Sequence, residues 1–295
     1  MKNTVLVFGA TGLLGATLCP QLKLAGWCVI RQSRSQGAEI RCDPSNLKSV
    51  RDVIKDHRPV AIVNLVANSN VDYCESHLSE SYITNVRTVE NLAIAINEIN
   101  TRPHLVHISS DHLYAESGPH SERSVLPINV YALTKFTGEL FALQSGATVL
   151  RTNFFGRSRV DNRSSFTDWI YNSLSSARSI TVFEDVLFSA LHMVTLSTYI
   201  TKAIEYRLPG IFNVGSREGL SKAKFAEIFA DILNLDKSYL KFGSIKDVKL
   251  EARRPLDMRM DIDKFESKFD LIMPNMVDQI SKAAAEYTRI KHEIR

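Results

Sequence analysis

The sequence is poor in cysteine and carries only a small excess of positive charge. Cys19, Cys28, Cys42 and Cys74 are the four cysteines among 295 residues, and they show neither a CxxC pair nor the Cys/His spacing of a zinc site. We therefore expect no disulfide framework and no metal site, and reduced thiols in a cytoplasmic protein. Lys and Arg number 36 against 32 Asp and Glu, without a basic block, which argues against a nucleic-acid-binding protein.

The sequence also lacks a long hydrophobic run and a flexible linker. The first apolar stretch, residues 5–10, is too short to cross a bilayer and leads into a glycine loop instead of a cleavage site. We therefore expect no membrane contact and no signal peptide. No glycine- or serine-rich segment and no internal repeat divides the chain, so two lobes packed directly on each other are expected.

Short apolar runs alternate with segments of helical spacing in the first half of the chain. This alternation predicts an α/β fold with a doubly wound parallel sheet of the Rossmann type. We expect residues 1–151 to form the dinucleotide-binding domain and residues 152–295 a smaller α/β substrate-binding lobe, with segments near 178–208 returning to the main sheet. The predicted strands cover residues 5–8, 28–30, 61–66, 105–108 and 148–150, and the predicted helices residues 12–25, 47–56, 79–100 and 130–144.

A glycine loop with the spacing GxxGxxG follows the first predicted strand. Glycine allows a tight turn and a close approach of the backbone to a pyrophosphate, and the start of the following helix favours negative charge. The alternative is a tight strand-to-helix turn without a ligand. We expect the dinucleotide to contact Gly9, Thr11, Gly12, Leu13, Leu14 and Gly15.

The end of the second strand indicates which dinucleotide is used. An acidic residue there would bind the ribose of NAD, but this sequence has Ser33 and Arg34, whose hydroxyl and guanidinium suit a 2′-phosphate. The alternative is a solvated basic loop. The expected cofactor is NADP(H), with NAD(H) as the second choice.

A tyrosine and a lysine share one face of the helix predicted after Asn129, its expected N-cap. Tyr131 and Lys135 are four residues apart, and a nearby ammonium lowers the pKa of a phenol toward neutrality. Ser110, at the end of a predicted strand, can then hold a substrate carbonyl while Tyr131 supplies a proton. Gly138 marks either a close helix contact or a tolerated accident. Tyr-x3-Lys alone is common on protein surfaces.

Together these motifs resemble the extended short-chain dehydrogenase/reductase family. The matching residues are GATGLLG at 9–15, SSD at 109–111 and YALTK at 131–135. Within the family the sequence is most similar to the dTDP-4-dehydrorhamnose reductases and related nucleotide-sugar reductases, through VNLVANSNVDYCES at 63–76, TNVRTVENLA at 84–93 and GIFNVGS at 210–216. The resemblance runs over nearly the whole chain.

The resemblance implies roles for individual residues. Ser110, Tyr131 and Lys135 would be catalytic, with Lys135 also on the nicotinamide ribose. Asp43 would meet the adenine, although an aspartate before proline also starts turns. Leu65, Val66 and Ala67 would line the dinucleotide, and an apolar strand end explains them equally well. The chain departs from the family at His112, where a tyrosine is usual, and at Ala132, where glycine is usual.

Substrate-binding candidates lie near the ends of strands and in a basic turn. Ser110, Asp111 and Asn153 would face the sugar. Arg254, preceded by Arg253, can bind a diphosphate through two parallel hydrogen bonds, unless the pair forms only a solvated turn.

The predicted function is NADPH-dependent reduction of a 4-keto nucleotide sugar, with the proton from Tyr131. One alternative is a redox-neutral nucleotide-sugar epimerase; a dehydratase is disfavoured because His112 replaces the acidic residue that dehydratases carry after the aspartate. The other is a non-enzymatic NADP-binding regulatory subunit, because a subunit of methionine adenosyltransferase resembles the same reductases. A homodimer is the expected assembly if the chain oligomerises.

Overall fold

The structure of this chain, a computed structural model, describes residues 3–34 and 36–293, with side chains up to residue 288. The strands are β1 (Thr4–Phe8), β2 (Cys28–Ser33), β3 (Ile40–Arg41), β4 (Ala61–Asn64), β5 (His104–Ile108), β6 (Thr148–Thr152), β7 (Phe154–Phe155), β8 (Ile180–Phe183), β9 (Leu187–Phe188), β10 (Leu191–His192), β11 (Gly210–Val214), β12 (Leu220–Ser221), β13 (Leu240–Gly243) and β14 (Asp257–Met258). The helices are α1 (Leu13–Leu24), α2 (Leu47–His57), α3 (Val71–Ser76), α4 (Leu78–Tyr82), α5 (Thr88–Glu98), α6 (Val130–Gln144), α7 (Phe166–Ser175), α8 (Met193–Tyr206), α9 (Lys222–Ile232), α10 (Asp263–Phe269) and α11 (Met276–Glu293).

Within the described residues, seven parallel strands form the main sheet in the order β11-β6-β5-β4-β1-β2-β3. The apolar strands are covered on both faces, as the fully buried Val5, Leu6, Val7 and Phe8 of β1 illustrate. The order reverses between β1 and β4, so the chain continues from their carboxyl ends to opposite faces of the sheet and leaves a crevice there. The predicted doubly wound Rossmann-type fold is confirmed.

A second lobe surrounds its own hydrophobic cluster, which includes Phe155, Ile180, Phe225 and Phe229. Helices α7, α9 and α11 and short sheets, among them β8 with β13 and β9 between β12 and β14, build this lobe. Within the segment expected to return to the main sheet, α8 packs on α1. The strand that joins the sheet is β11, just after that segment. The division of the chain at residue 151 stays a prediction.

The long helix predicted over residues 79–100 is interrupted. A wide π-helical turn, Ile83–Arg87, separates α4 from α5. From this turn, Asn85 donates a hydrogen bond through Nδ2 to the Thr134 hydroxyl of α6 at 3.0 Å. A Cβ on Gly138 would lie 2.6 Å from the carbonyl oxygen of Asn85, so Gly138 marks a close approach between the helices.

A buried ion pair joins α6 to the sheet. Arg151 of β6 and Glu139 of α6 are both fully buried, and the guanidinium donates to the two carboxylate oxygens from Nε at 2.9 Å and Nη2 at 2.6 Å. Nη1 of Arg151 also donates to the Tyr114 hydroxyl at 3.0 Å and the Glu122 carbonyl at 2.8 Å. The Tyr114 hydroxyl in turn donates to Asn213 of β11 at 2.5 Å.

We predict that Glu139→Ala destabilises the fold by about 3–5 kcal/mol, because it leaves the Arg151 charge buried without a partner. Chemical denaturation followed by circular dichroism measures this loss. Glu98→Ala is the matched control, since Glu98 forms a half-exposed ion pair with Arg51 and exposed pairs contribute little. Equal shifts of the denaturation midpoint in the two variants would contradict the prediction.

Candidate active site

The glycine loop has the shape that close contact with a phosphate group requires. Gly9 has a φ of 76°, and a Cβ there would lie 3.1 Å from the backbone of Leu65. Gly12 is the N-cap of α1, and a Cβ on Gly15 would lie 2.5 Å from the Ala10 carbonyl oxygen. The first turn of α1 therefore packs tightly on Ala10 of the glycine loop and presents unpaired N–H groups at the crevice. These features fit the pyrophosphate of a dinucleotide.

Two of the cavities that open at the glycine loop share several lining residues. The larger, of about 440 Å³, runs toward the end of β2 and is lined by Gly9, Thr11, Gly12, Gln32, Ser33, Arg34, Arg41, Pro44, Leu65, Val66, Ala67, Thr84 and Arg163. The smaller, of about 140 Å³, runs toward α6 and is lined by Gly9, Gly12, Leu13, Leu14, Gly15, Leu65, Ala67, Ser69, Ile108, Ser109, Tyr131, Lys135, Phe154 and Arg163. The two cavities together form an elongated site centred on the glycine loop.

The far end of the larger cavity is cationic. Ser33 is buried and shares a 2.9 Å hydrogen bond with the Thr11 hydroxyl, and Nε of Arg41 donates to the Arg34 carbonyl oxygen at 3.2 Å. No acidic side chain lines this cavity within the described residues. Hydroxyl and guanidinium donors without a competing carboxylate fit a 2′-phosphate.

The residues expected at the dinucleotide divide into two groups. Leu65, Val66 and Ala67 line the cavities, and so do the glycine-loop residues named from the sequence. Asp43 is exposed and does not line either cavity; its Oδ1 accepts hydrogen bonds from the Ser45 amide at 3.0 Å and hydroxyl at 2.8 Å. This is the turn-forming role that an Asp-Pro pair suggests, so contact with the adenine stays a prediction.

The tyrosine and the lysine lie at the inner end of the smaller cavity. Asn129 caps α6 by accepting from the Ala132 amide at 2.8 Å, as expected. Tyr131 and Lys135 are buried, with 7% and 2% of their surfaces exposed. Nζ of Lys135 donates to the Ile108 carbonyl oxygen at 2.7 Å. Ser110 follows β5 and accepts from the His112 amide at 3.2 Å.

The electrostatics of this pair differ from the expectation. Burial raises the pKa of Tyr131 to about 12, although a hydrogen bond with Ser110 acts in the opposite direction. Burial also lowers the pKa of Lys135 to about 8, against the attraction of Glu139. The expected lowering of the pKa of Tyr131 by Lys135 is therefore wrong. Desolvation of the phenolate dominates, and the tyrosine is protonated at neutral pH.

Polar groups continue from Ser110 toward the second lobe. Asp111 is 1% exposed and accepts a 2.7 Å hydrogen bond from Nδ2 of Asn153, so these two predicted substrate residues lie together. Burial raises the pKa of Asp111 to about 6. Arg254 is already engaged, since its guanidinium donates to Asp72 at 2.7 Å and to the Ala252 carbonyl at 2.8 Å.

Sequence reasoning missed several polar residues of the site, and four of the described ones are charged or have an unpaired buried hydroxyl. Lys222 is half-buried at the start of α9, and its charge lowers the pKa of both Asp111 and His112, where burial is the larger influence. Arg41 and Arg163 line the larger cavity. Ser109 lines the smaller cavity, and its buried hydroxyl has no partner among the described residues. Only Ser109, inside the SSD motif, had a signal in the sequence.

No group of three or more His, Cys, Asp or Glu side chains is placed to hold a metal ion in the part of the chain that the structure describes.

The parallel sheet, the glycine loop and the adjoining Tyr-Lys helix define a Rossmann-type oxidoreductase of the extended short-chain dehydrogenase/reductase class. The chain belongs to the family described as "RmlD substrate binding domain", which matches residues 1–289. The resemblance seen in the sequence is thereby confirmed.

Individual relatives cover nearly the whole chain. The dTDP-4-dehydrorhamnose reductase of Salmonella typhimurium is 27% identical over 286 residues, which are 92% of this chain and 93% of that protein. The methionine adenosyltransferase 2 subunit beta of Pongo abelii is 28% identical over 280 residues, 90% of this chain and 82% of that protein. The structure of dTDP-4-dehydrorhamnose reductase from Bacillus anthracis in complex with NADP has a TM-score of 0.87 at 23% identity, covering 97% of this chain and all of that one.

The raised pKa of Asp111 predicts a pH-dependent cost to the fold. An unfolded aspartate ionises near pH 3.8, whereas folded Asp111 keeps its proton up to about pH 6. Between these values the folded state binds more protons, so raising the pH destabilises it relative to the unfolded chain. Asp111→Asn removes this effect. Its stability relative to the parent should increase from pH 4 to pH 6, by at most about 3 kcal/mol.

Urea denaturation of both proteins across this pH range measures the difference. A difference that stays constant with pH would contradict the prediction.

Proposed function

We propose that this protein is an NADPH-dependent reductase of a 4-keto nucleotide sugar. The observation that carries the proposal is the continuous site: a cationic cavity at the end of β2 leads past the glycine loop to buried Tyr131 and Lys135. A dinucleotide lying along this site would have its phosphates at the loop and the cations, and its nicotinamide beside the tyrosine. The likeness to the Salmonella typhimurium reductase supports the substrate class.

The chain's own residues would direct the proton. The hydride for the substrate carbonyl carbon would come from NADPH held at the glycine loop and at Lys135. Tyr131, protonated because burial raises its pKa, donates its proton to the carbonyl oxygen, so that the ketone becomes a secondary alcohol. The Ser110 hydroxyl holds the same oxygen, and Lys135 binds the nicotinamide ribose. Asp43 is proposed at the adenine edge, next to Pro44 of the larger cavity.

NADPH is proposed as the preferred cofactor, with NADH as the alternative. Ser33, Arg34 and Arg41 surround the place where the adenosine ribose would lie, and acidic residues do not line it among those described. The NADP in the related Bacillus anthracis structure supports the same choice. Arg34 would bind the 2′-phosphate, because a guanidinium makes two parallel hydrogen bonds to phosphate oxygens.

Substrate would enter between the lobes. Asn153 and Asp111 lie beside Ser110 and suit the hydroxyl groups of a sugar. Arg254 and half-buried Lys222 are close enough for their charges to repel, and a diphosphate between them would relieve that repulsion. Lys222 thus joins Arg254 as a proposed substrate-binding residue.

A non-enzymatic NADP-binding subunit is the second candidate. It is favoured by the likeness to methionine adenosyltransferase 2 subunit beta. Retention of Ser110, Tyr131 and Lys135 in one buried site favours the reductase. A redox-neutral epimerase would use the same three residues, but its cofactor would return to the starting oxidation state in every turnover.

Assembly and location also belong to the proposal. Leu133 and Leu140 share one face of α6 and are 52% and 47% exposed, which supports a homodimer formed through this helix. In the described part of the chain, no helix has both the length and the apolar character needed to span a membrane. We propose a cytoplasmic location.

The function is tested by mixing the protein and NADPH with dTDP-, GDP-, UDP- and CDP-linked 4-keto sugars and following NADPH absorbance. We expect oxidation with at least one of them. Tyr131→Phe should lower turnover by about 10²–10⁴-fold, the usual contribution of a positioned acid, with little change in NADPH affinity. Lys135→Met should lower both the turnover and the affinity for NADPH.

Tyr82→Phe, at an exposed tyrosine, is the control and should behave like the parent. Normal turnover by Tyr131→Phe would contradict the mechanism. NADPH binding without reduction of any sugar would favour the regulatory subunit.

The role of Arg254 is tested by thermal protection. A nucleoside-diphosphate sugar should stabilise the NADPH-bound protein, and Arg254→Ala should reduce that stabilisation by about 1–3 kcal/mol, because charged hydrogen bonds are lost. Asp72→Asn is the control, since it frees the guanidinium and should preserve the protection. Undiminished protection in Arg254→Ala would remove Arg254 from the substrate site.

A further inference from the structure

A second-lobe arginine lies where the two cofactor cavities meet. The cavities share five lining residues, and Arg163 is the one with a charged side chain; the others are Gly9, Gly12, Leu65 and Ala67. A Cβ built on Gly12 would lie 3.9 Å from Nη1 of Arg163. The guanidinium therefore lies directly over the glycine loop.

The junction corresponds to the middle of a dinucleotide. Ser33 and Arg34 mark the adenosine-ribose end of the elongated site, and Tyr131 and Lys135 mark the nicotinamide end. The pyrophosphate joins these two halves and carries two negative charges. The start of α1 offers the equivalent of only about half a positive charge. A full positive charge on the opposite side of the loop would neutralise most of the negative charge that remains.

The loop that carries Arg163 is held at both ends by one carboxylate. Oδ2 of Asp168 accepts hydrogen bonds from the amides of Ser158 at 3.0 Å and Ser165 at 2.9 Å. Oδ1 of Asp168 accepts from the Tyr287 hydroxyl at 2.6 Å. Asp168 is buried, so the 158–165 loop is anchored to the second-lobe core. This anchoring fixes the position of the backbone that carries Arg163.

The guanidinium of Arg163 is available for an anion. Among the described residues it forms no ion pair and no hydrogen bond, whereas Arg159 of the same loop is 3.6 Å from Glu286. No described acidic side chain lines either cavity. A guanidinium exposed beside a set of N–H donors and without a carboxylate partner matches the oxygens of a phosphate.

We propose that Arg163 binds the pyrophosphate of the dinucleotide cofactor, opposite the glycine loop. The second lobe then contributes directly to cofactor binding, and a bound dinucleotide bridges the start of α1 and the 158–165 loop. The inference rests on the proposed function, because that function requires a dinucleotide cofactor.

Calorimetric titration of the full chain with NADPH and NADH tests the assignment. Both cofactors contain the pyrophosphate, so Arg163→Ala should weaken both by a similar factor, about tenfold or more, the range for a charged hydrogen bond. Arg34→Ala should weaken NADPH alone, because only NADPH has the 2′-phosphate. Arg163→Lys keeps the charge without the guanidinium fork and should fall between Arg163→Ala and the parent.

Arg178→Ala is the matched control, since Arg178 is an exposed second-lobe arginine that lines neither cavity. Parent-like affinity of Arg163→Ala for both cofactors would overturn the assignment while leaving the proposed function intact. A loss of affinity for NADPH alone would overturn it as well, because it would indicate that Arg163 contacts the 2′-phosphate. A parent protein that binds neither cofactor would overturn both proposals together.

Discussion

The buried ion pair between Arg151 and Glu139 joins the parts of the molecule that make up the site. Glu139 lies one helical turn after Lys135 on α6, and Arg151 belongs to the strand that leads to Asn153. Neither charged side chain is exposed to water. Each is stable in the interior only because the opposite charge and the surrounding hydrogen bonds compensate for its lost hydration. Through Tyr114 the same network reaches β11. One interaction therefore sets the helix with the proposed acid against the sheet that would carry the cofactor.

Burial at this helix also determines the chemistry that its side chains favour. A water-poor site favours the neutral form of each group, so burial keeps the phenol of Tyr131 protonated and lowers the pKa of the Lys135 ammonium. The phenol needs no nearby cation to act as a donor, because donation begins from the protonated form. The groups proposed to bind the 2′-phosphate, in contrast, lie at a more open part of the site, where Arg34 and Arg41 are exposed. Acid–base chemistry and recognition of the 2′-phosphate thus occupy environments of different polarity.

Sequence patterns predicted the features that depend on neighbours along the chain. The β-branched runs located the strands, and the spacing of Tyr131 and Lys135 placed both side chains in one cavity. The interruption at Ile83–Arg87 escaped prediction because the apolar spacing continues through it. Arg163 and Lys222 escaped for another reason: each comes from the second lobe, and only the packing of that lobe brings it to the first. The pKa of Tyr131 likewise depends on burial, which no local motif encodes.

The path of the chain between the lobes constrains how the protein can form during synthesis. The core on one face of the main sheet includes Met260, Ile262, Phe265, Phe269 and Met273, and β11 can pair with β6 only after the intervening residues 153–209 have been made. A growing chain that has emerged only to residue 151 therefore exposes an unfinished sheet edge and an open apolar face. Completion of the core on this face of the main sheet waits until residues 260–273 have left the ribosome, so the exposed intermediate must be protected from aggregation until then.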